Sequence, residues 1–207
     1  SGLSRAGLLD ILTARCREAG VRLCYEREVL DPDRGALEGM DLILAADGAN
    51  SAVRERCREH FRPVVDVRPN KFVWLGTTKP FPAFTFYFKH DAHGLWRVHA
   101  YQYEPDRSTF IVETTEEVWR RAGLAEAEEA RTIAFCEALF AEELEGHRLM
   151  ANRSIWRSFP TIRNERWSHG NVVLAGDAAH TAHFSVGSGT KLAMEDAQAL
   201  VRVLFNH

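Results

Sequence analysis

Residues 171–200 read NVVLAGDAAHTAHFSVGSGTKLAMEDAQAL. Val172 to Ala175 is a short, branched apolar run of the kind that forms a buried strand, and the Gly176-Asp177 pair ends it. A loop carrying Gly187 and Gly189 follows. From Lys191 to Leu204, Leu192, Ala193, Leu200 and Leu204 then recur at the spacing of one helix face. The order strand, carboxylate, glycine loop, helix places a carboxylate at the carboxyl end of a strand, where open α/β sheets bind ligands. It also aims free N–H groups of a helix N-terminus at something electron-rich.

A second junction of this kind lies upstream. Asp41 to Ala46 is an apolar run that ends in Asp47-Gly48 and leads into a helical start. Before it, Ser4 is a good N-cap for a helix from Arg5 to about Ala19, with Leu8, Leu9, Ile11 and Leu12 as its apolar residues and Gly20 as its stop. Val21 to Tyr25 reads as a strand, and Asp31 to Gly35 as a turn.

Between the two junctions the texture changes. Lys71–Thr78, Ala83–Lys89, Leu95–Tyr103 and Ser108–Glu113 alternate aromatic or β-branched residues with polar ones, separated by turn chemistry, which predicts an antiparallel meander. Thr115–Arg121 and Glu126–Glu143 read as helices, and Ile155–Ile162 as a returning strand. The expected fold is α/β with an α+β insertion. Residues 1–62 and 163–207 form a three-layer parallel domain, and 63–162 an antiparallel sheet domain, so Asp47 and Asp177 should sit at neighbouring strand ends.

Composition excludes several classes. The 207 residues are 45% hydrophobic and 27% charged with a formal net charge of -3, which supports a packed core and gives no electrostatic case for nucleic acid. No apolar run approaches the roughly 20 residues of a membrane span. Cys16, Cys24, Cys57 and Cys136 are widely spaced, so reduced and mostly buried thiols of a cytoplasmic protein are expected.

Asp47-Gly48-x-x-Ser51-x-x-Arg54, and Gly176-Asp177-Ala178-Ala179-His180 followed by Gly187-x-Gly189, resemble the second and third fingerprints of the FAD-dependent aromatic hydroxylases of the para-hydroxybenzoate hydroxylase class. Arg5-x-x-Leu8-x-x-x-Leu12 is similar to the helix that precedes them in that family. Phe184 and Lys191 stand where the common family pattern has Pro and Asn. Both departures, with the FTFYFKHDAHGLWRVHAY stretch, resemble the subgroup that acts on salicylyl-CoA and anthraniloyl-CoA.

The resemblance implies FAD as cofactor and NADH or NADPH as co-substrate, with oxygen addition at the flavin C4a and transfer of a hydroxyl to an aromatic CoA thioester. It carries cofactor binding to Arg5, Asp47, Gly48, Arg54, Gly176, Asp177, His180, Gly187, Gly189, Thr190 and Lys191. His99 and Tyr101 are the substrate-side candidates. The family's first fingerprint, G-x-G-x-x-G after a strand, would lie before Arg5 and is not in this sequence. We therefore expect a fragment that holds FAD weakly or not at all, self-associating over the incomplete sheet.

Each feature has a plainer reading. Asp47 and Asp177 could cap the turns after their strands. His180 and His183 are spaced to share a metal, but no third ligand is spaced to help, so no metal is expected. Lys191 after glycines does not complete a phosphate loop, because Gly189 does not adjoin it. The run Phe84, Phe86 and Phe88 reads as the core face of a sheet. Two other functions stay open: a non-catalytic scaffold without flavin, and a flavin-dependent reductase sharing the same motifs.

Overall fold

The computed structural model describes residues 3–29, 37–151 and 153–206. The expected turn at 31–35 lies outside them. The chain forms two compact units, Ser1–Cys24 with Pro69–Phe159 and Tyr25–Arg68 with Pro160–His207.

The first unit is built on antiparallel strands. Strands β2 (Pro63–Thr77), β3 (Thr85–His90), β4 (Leu95–Glu104), β5 (Arg107–Thr114) and β6 (Leu149–Met150) form a sheet in the order β3-β4-β5-β2-β6, and β7 (Arg157–Asn164) also pairs with β2. The predicted meander is present, with β2 beginning earlier than expected; Pro63 is tolerated there because a first strand residue has no ladder bond to donate.

Alternation sets the faces. Trp96, Val98 and Ala100 of β4 join Val73, Leu75, Phe110 and Val112 in a core completed by helices α4 (Glu116–Arg121), α5 (Glu129–Leu139) and α6 (Ala141–Leu144), which supply Val118, Cys136 and Leu144, and by Phe140 between α5 and α6. Thr115 caps α4 by accepting from Val118 N. The single helix expected over 126–143 is two, because Phe140 leaves helical geometry at φ -106° and ψ 27°.

The other unit holds the parallel pair. β1 (Ile43–Ala45) runs parallel to β9 (Val172–Leu174), aligning Ala45 with Leu174, and β8 (Ser168–His169) closes the order β1-β9-β8. Ile43, Ala45, Val172 and Leu174 bury against Val53 and Phe61 from the short helices α2 (Ala52–Arg56) and α3 (Arg58–Phe61). Helix α7 (Gly189–Phe205) follows the second junction.

Several expectations are corrected. Val21–Tyr25 is not a strand: no strand pairs with it among the described residues, and a strand exists only where its backbone groups find a ladder. Helix α1 (Arg5–Glu18) is capped by Ser4 as predicted, but none of its residues is buried, and Ser1–Cys24 groups with the antiparallel unit rather than with residues 25–62. Phe84, Phe86 and Phe88 are 47%, 47% and 66% exposed, because the intervening Tyr87 takes the core side of β3. Of the four free cysteines only Cys136 is buried, and Cys24 is exposed. No helix among the described residues is long and apolar enough to cross a membrane.

Candidate functional site

Asp47 lies two residues beyond Ala45 of β1, and Asp177 three beyond Leu174 of β9, so both carboxylates follow the carboxyl ends of adjacent parallel strands. Both are exposed. Asp47 Oδ2 accepts from Val53 N at 3.2 Å across the turn, and Ser51 Oγ accepts from Arg54 N at 2.9 Å, so the Asp-Gly-x-x-Ser spacing caps α2 twice. Asp177 takes part in no hydrogen bond or ion pair among the described residues.

Arg54 joins the two junctions. Its side chain is buried, and it donates from Nη1 to Ala178 O at 3.1 Å and from Nη2 to Ala49 O. Burial pushes the guanidinium below its ordinary pKa; the nearby Asp47 and Glu55 charges oppose that shift and Arg58 adds to it. Arg54 Nε is buried with no hydrogen-bond partner among the described residues. The motif arginine thus reaches backbone oxygens of both turns and leaves one donor over.

Gly176 has φ +58°, which favours glycine, and a Cβ there would press on Ala193 Cβ of α7 at 3.3 Å. His180, expected at the cofactor, is engaged from behind. Its Nε2 lies 2.9 Å from Asp196 Oδ2, and its ring stacks on Trp167 at 4.7 Å. Asn164 donates to Ala178 O at 3.3 Å and also to Ala179 O.

The front is open. A Cβ built on Gly48, Gly187 or Gly189 meets no atom within 4 Å. Helix α7 begins at Gly189 behind Ser188, which makes no side-chain cap bond, and Gly189, Thr190 and Lys191 are exposed. Lys191 Nζ turns back to Glu195 on its own helix. His183 spends Nδ1 on Ser185 in the 3-10 turn Phe184–Val186, and among the described residues no group of three His, Cys, Asp or Glu could hold a metal.

An exposed carboxylate, uncapped helix N–H groups and bare glycine backbone suit a large ligand that carries hydroxyls and an electron-rich ring, and FAD has both. The residues fit that group. Sequence reasoning brought Asp47, Gly48, Arg54, Gly176, Asp177, His180, Gly187, Gly189, Thr190 and Lys191 to one unit. It missed Asn164, Trp167 and Asp196, of which only Asp196 had a signal, sitting three residues after Ala193 on the inward face of α7.

The remaining candidates belong to the antiparallel unit. Arg5 is exposed in the first turn of α1. His99 is buried on the sheet face opposite the helices, with Nε2 3.3 Å from Glu113 Oε2, and Asn70 donates to Glu113 Oε1 at 2.8 Å. Phe86 meets the His99 ring edge-on at 4.8 Å, and Phe84 stacks on Tyr101 at 5.3 Å. Tyr101 lines an open cavity of about 430 Å³ with Phe81, Phe84, Tyr103, Glu104 and Pro105.

Residues 38–207 match the FAD binding domain family. The chain is 44% identical to salicyloyl-CoA 5-hydroxylase of Streptomyces sp over 97% of its own length and 40% of that protein's. It is 42% identical to 3-hydroxy-4-methyl-anthranilyl-(aryl-carrier protein) 5-monooxygenase of Streptosporangium sibiricum, over 98% of the chain and 52% of the relative. It therefore spans about half or less of the length of these relatives. Among solved structures, the tetrameric form of 2-methyl-3-hydroxypyridine-5-carboxylic acid oxygenase superposes with a TM-score of 0.72 at 19% identity, over 93% of this chain and 54% of that one, a likeness of fold.

Proposed function

Because the chain belongs to the FAD binding domain family, we propose that it is the flavin-holding and substrate-facing part of a monooxygenase that hydroxylates an aromatic ring carried as a thioester, of the salicylyl-CoA or anthraniloyl-CoA type. The observation that carries this reading is the placement of Asp47 and Asp177 after adjacent parallel strands, with Arg54 bonded to both turns. When bound, FAD supplies the activation of oxygen with electrons from NADH or NADPH.

The protein's own groups do the holding. Asp177 accepts from ribityl hydroxyls, and the α7 N-terminus favours an electron-rich ring edge by about 0.3 to 2 kcal/mol. Gly48 and Gly187 leave room for the backbone to approach, while Asp47 and Arg54 shape the turn nearer the pyrophosphate. On the substrate side, His99 is held by Glu113 beneath Phe86, and Tyr101 and Phe84 supply flat aromatic surface. One named relative is a salicyloyl-CoA hydroxylase and the other a monooxygenase of an anthranilyl group on an aryl-carrier protein, which supports an aryl group borne on a carrier as the substrate class. The free cysteines suit a cytoplasmic setting, and self-association belongs to the same proposal.

The test is flavin content by visible absorbance, with NAD(P)H consumption as the second readout, in the protein that carries this chain. Asp177→Ala should lose flavin. Lys79→Ala should keep it, since Lys79 is held by Glu143 O and Glu145 in the antiparallel unit. NAD(P)H oxidation should rise on adding salicylyl-CoA or anthraniloyl-CoA. Colourless protein after reconstitution with FAD would favour a scaffold without flavin, and full flavin retention in Asp177→Ala would show the site to be elsewhere.

A further inference from the structure

Helix α7 carries a carboxylate on its inward side that the helix itself does not need. Asp196 is two turns in from Gly189, with its side chain 14% exposed. Burying a carboxylate among apolar groups is unfavourable unless it is hydrogen-bonded, and an alanine or leucine would pack at this position without that cost. Asp196 is fully engaged: Oδ2 accepts from Gly176 N at 2.8 Å, and both oxygens face His180 Nε2, at 3.2 and 2.9 Å. One turn earlier on the same face, Ala193 packs close against Gly176, where an added Cβ would lie 3.3 Å from the Ala193 Cβ.

The helix therefore grips the Gly176–Ala178 turn at two points, one by contact and one by charge-assisted hydrogen bonds. His180 is held in turn, with its N–H on Gly176 O at 2.9 Å and its ring flat against Trp167. Asp177, lying between Gly176 and Ala178, has no side-chain bond among the described residues, so the backbone of this turn sets the direction in which its side chain leaves the chain. The same helix whose uncapped N-terminus opens the site thus also fixes the turn that aims Asp177.

We propose that Asp196 is a positioning residue for the flavin: through Gly176 N and His180 it locks the Gly-Asp turn to α7, so that the Asp177 carboxylate and the first N–H groups of α7 face the ribityl and ring portion as one rigid unit. The assignment rests on the flavin reading. It differs from a purely structural role because its effect is confined to one end of the dinucleotide.

The experiment compares affinities of the apo form of the protein that carries this chain for FAD, riboflavin and ADP by fluorescence and calorimetry. Asp196→Ala, which releases the turn, should weaken FAD and riboflavin alike by about tenfold or more and leave ADP unchanged. Asp196→Asn, whose amide oxygen still accepts from Gly176 N, should recover most of the loss. If the alanine variant does not fold, His180→Gln carries the comparison and is expected to weaken riboflavin in the same way while leaving ADP unchanged. Unchanged riboflavin affinity, or ADP affinity falling in step with riboflavin, overturns the assignment while flavin binding stands. Wild-type protein that binds neither FAD nor riboflavin overturns the flavin reading together with it.

Discussion

The Arg54 guanidinium donates to the carbonyl oxygen of Ala178 at 3.1 Å, joining residues 124 positions apart. Its second nitrogen reaches Ala49 O, so one buried side chain connects the turn after β1 to the turn after β9. The strand pairing runs out with Ala175 N donating to Ala45 O at 3.0 Å, and Arg54 carries the connection on into the turns that follow.

Arg54→Ala removes that tie, leaving Ala49 O to water and Ala178 O to the longer bond from Asn164. We expect a loss of about 2 to 4 kcal/mol, read as a melting temperature lower by about 5 °C or more for a chain of this size. Arg54→Lys should recover only part of it, since an ammonium cannot reproduce the two-pronged guanidinium geometry. A melting curve equal to wild type for the alanine variant would show that the turns hold without the arginine.

How far the sequence reached depends on whether a feature is local. Ser4, Thr115 and the strand-ending glycines act within a few residues of themselves, so the caps and the meander were readable. The parallel pairing of Ile43–Ala45 with Val172–Leu174 was readable because two apolar runs ended in the same carboxylate-glycine chemistry. Which way β3 turned its aromatics was not, since Phe86 and Tyr87 are equally suited to a core and only the helices packed on the far side choose between them. The supports behind His180 were equally hidden. Trp167 and Asp196 lie on either side of it in sequence and meet it only through the fold.

Acid should loosen the β3–β4 turn. Burial alone would raise the Asp91 pKa, but hydrogen bonds from Trp96 Nε1 and the amides of His93 and Gly94 outweigh it, and the carboxyl is held below its ordinary value of 3.8. A carboxyl whose folded pKa is depressed stabilises the fold above its unfolded value, and that contribution is lost as pH falls through the folded value. Denaturant midpoints measured down through the carboxylate range should fall more steeply for wild type than for Asp91→Asn. Parallel curves would remove Asp91 from the account of acid sensitivity.

Thiol labelling should separate the cysteines. Burial, with help from the neighbouring Glu137 charge, pushes the Cys136 thiol up to about 12, so at mildly alkaline pH almost none is thiolate. Cys24 is exposed. A thiol-reactive probe should modify Cys24 first and leave Cys136 until denaturant is added. Early modification of Cys136 in native protein would mean that the core around Trp96 and Phe140 opens readily.

Gly189 separates what folding wants from what binding wants. It is the first residue of α7, its backbone is not in the left-handed region, and a Cβ placed there meets nothing within 4 Å. For the fold alone, alanine should be neutral or better: glycine in a helix is worse than alanine by up to about 1 kcal/mol, and somewhat less at the end than in the interior. For the proposed site the same methyl group occupies space the flavin would take, beside N–H groups that must approach it closely. Gly189→Ala should therefore raise the melting temperature of the apo protein or leave it unchanged, and at the same time weaken FAD binding and pale the purified protein. Apo stability by calorimetry and flavin content by absorbance read the two effects separately. A variant at least as stable as wild type that binds FAD just as tightly would show that the open space before α7 is not where the ring lies.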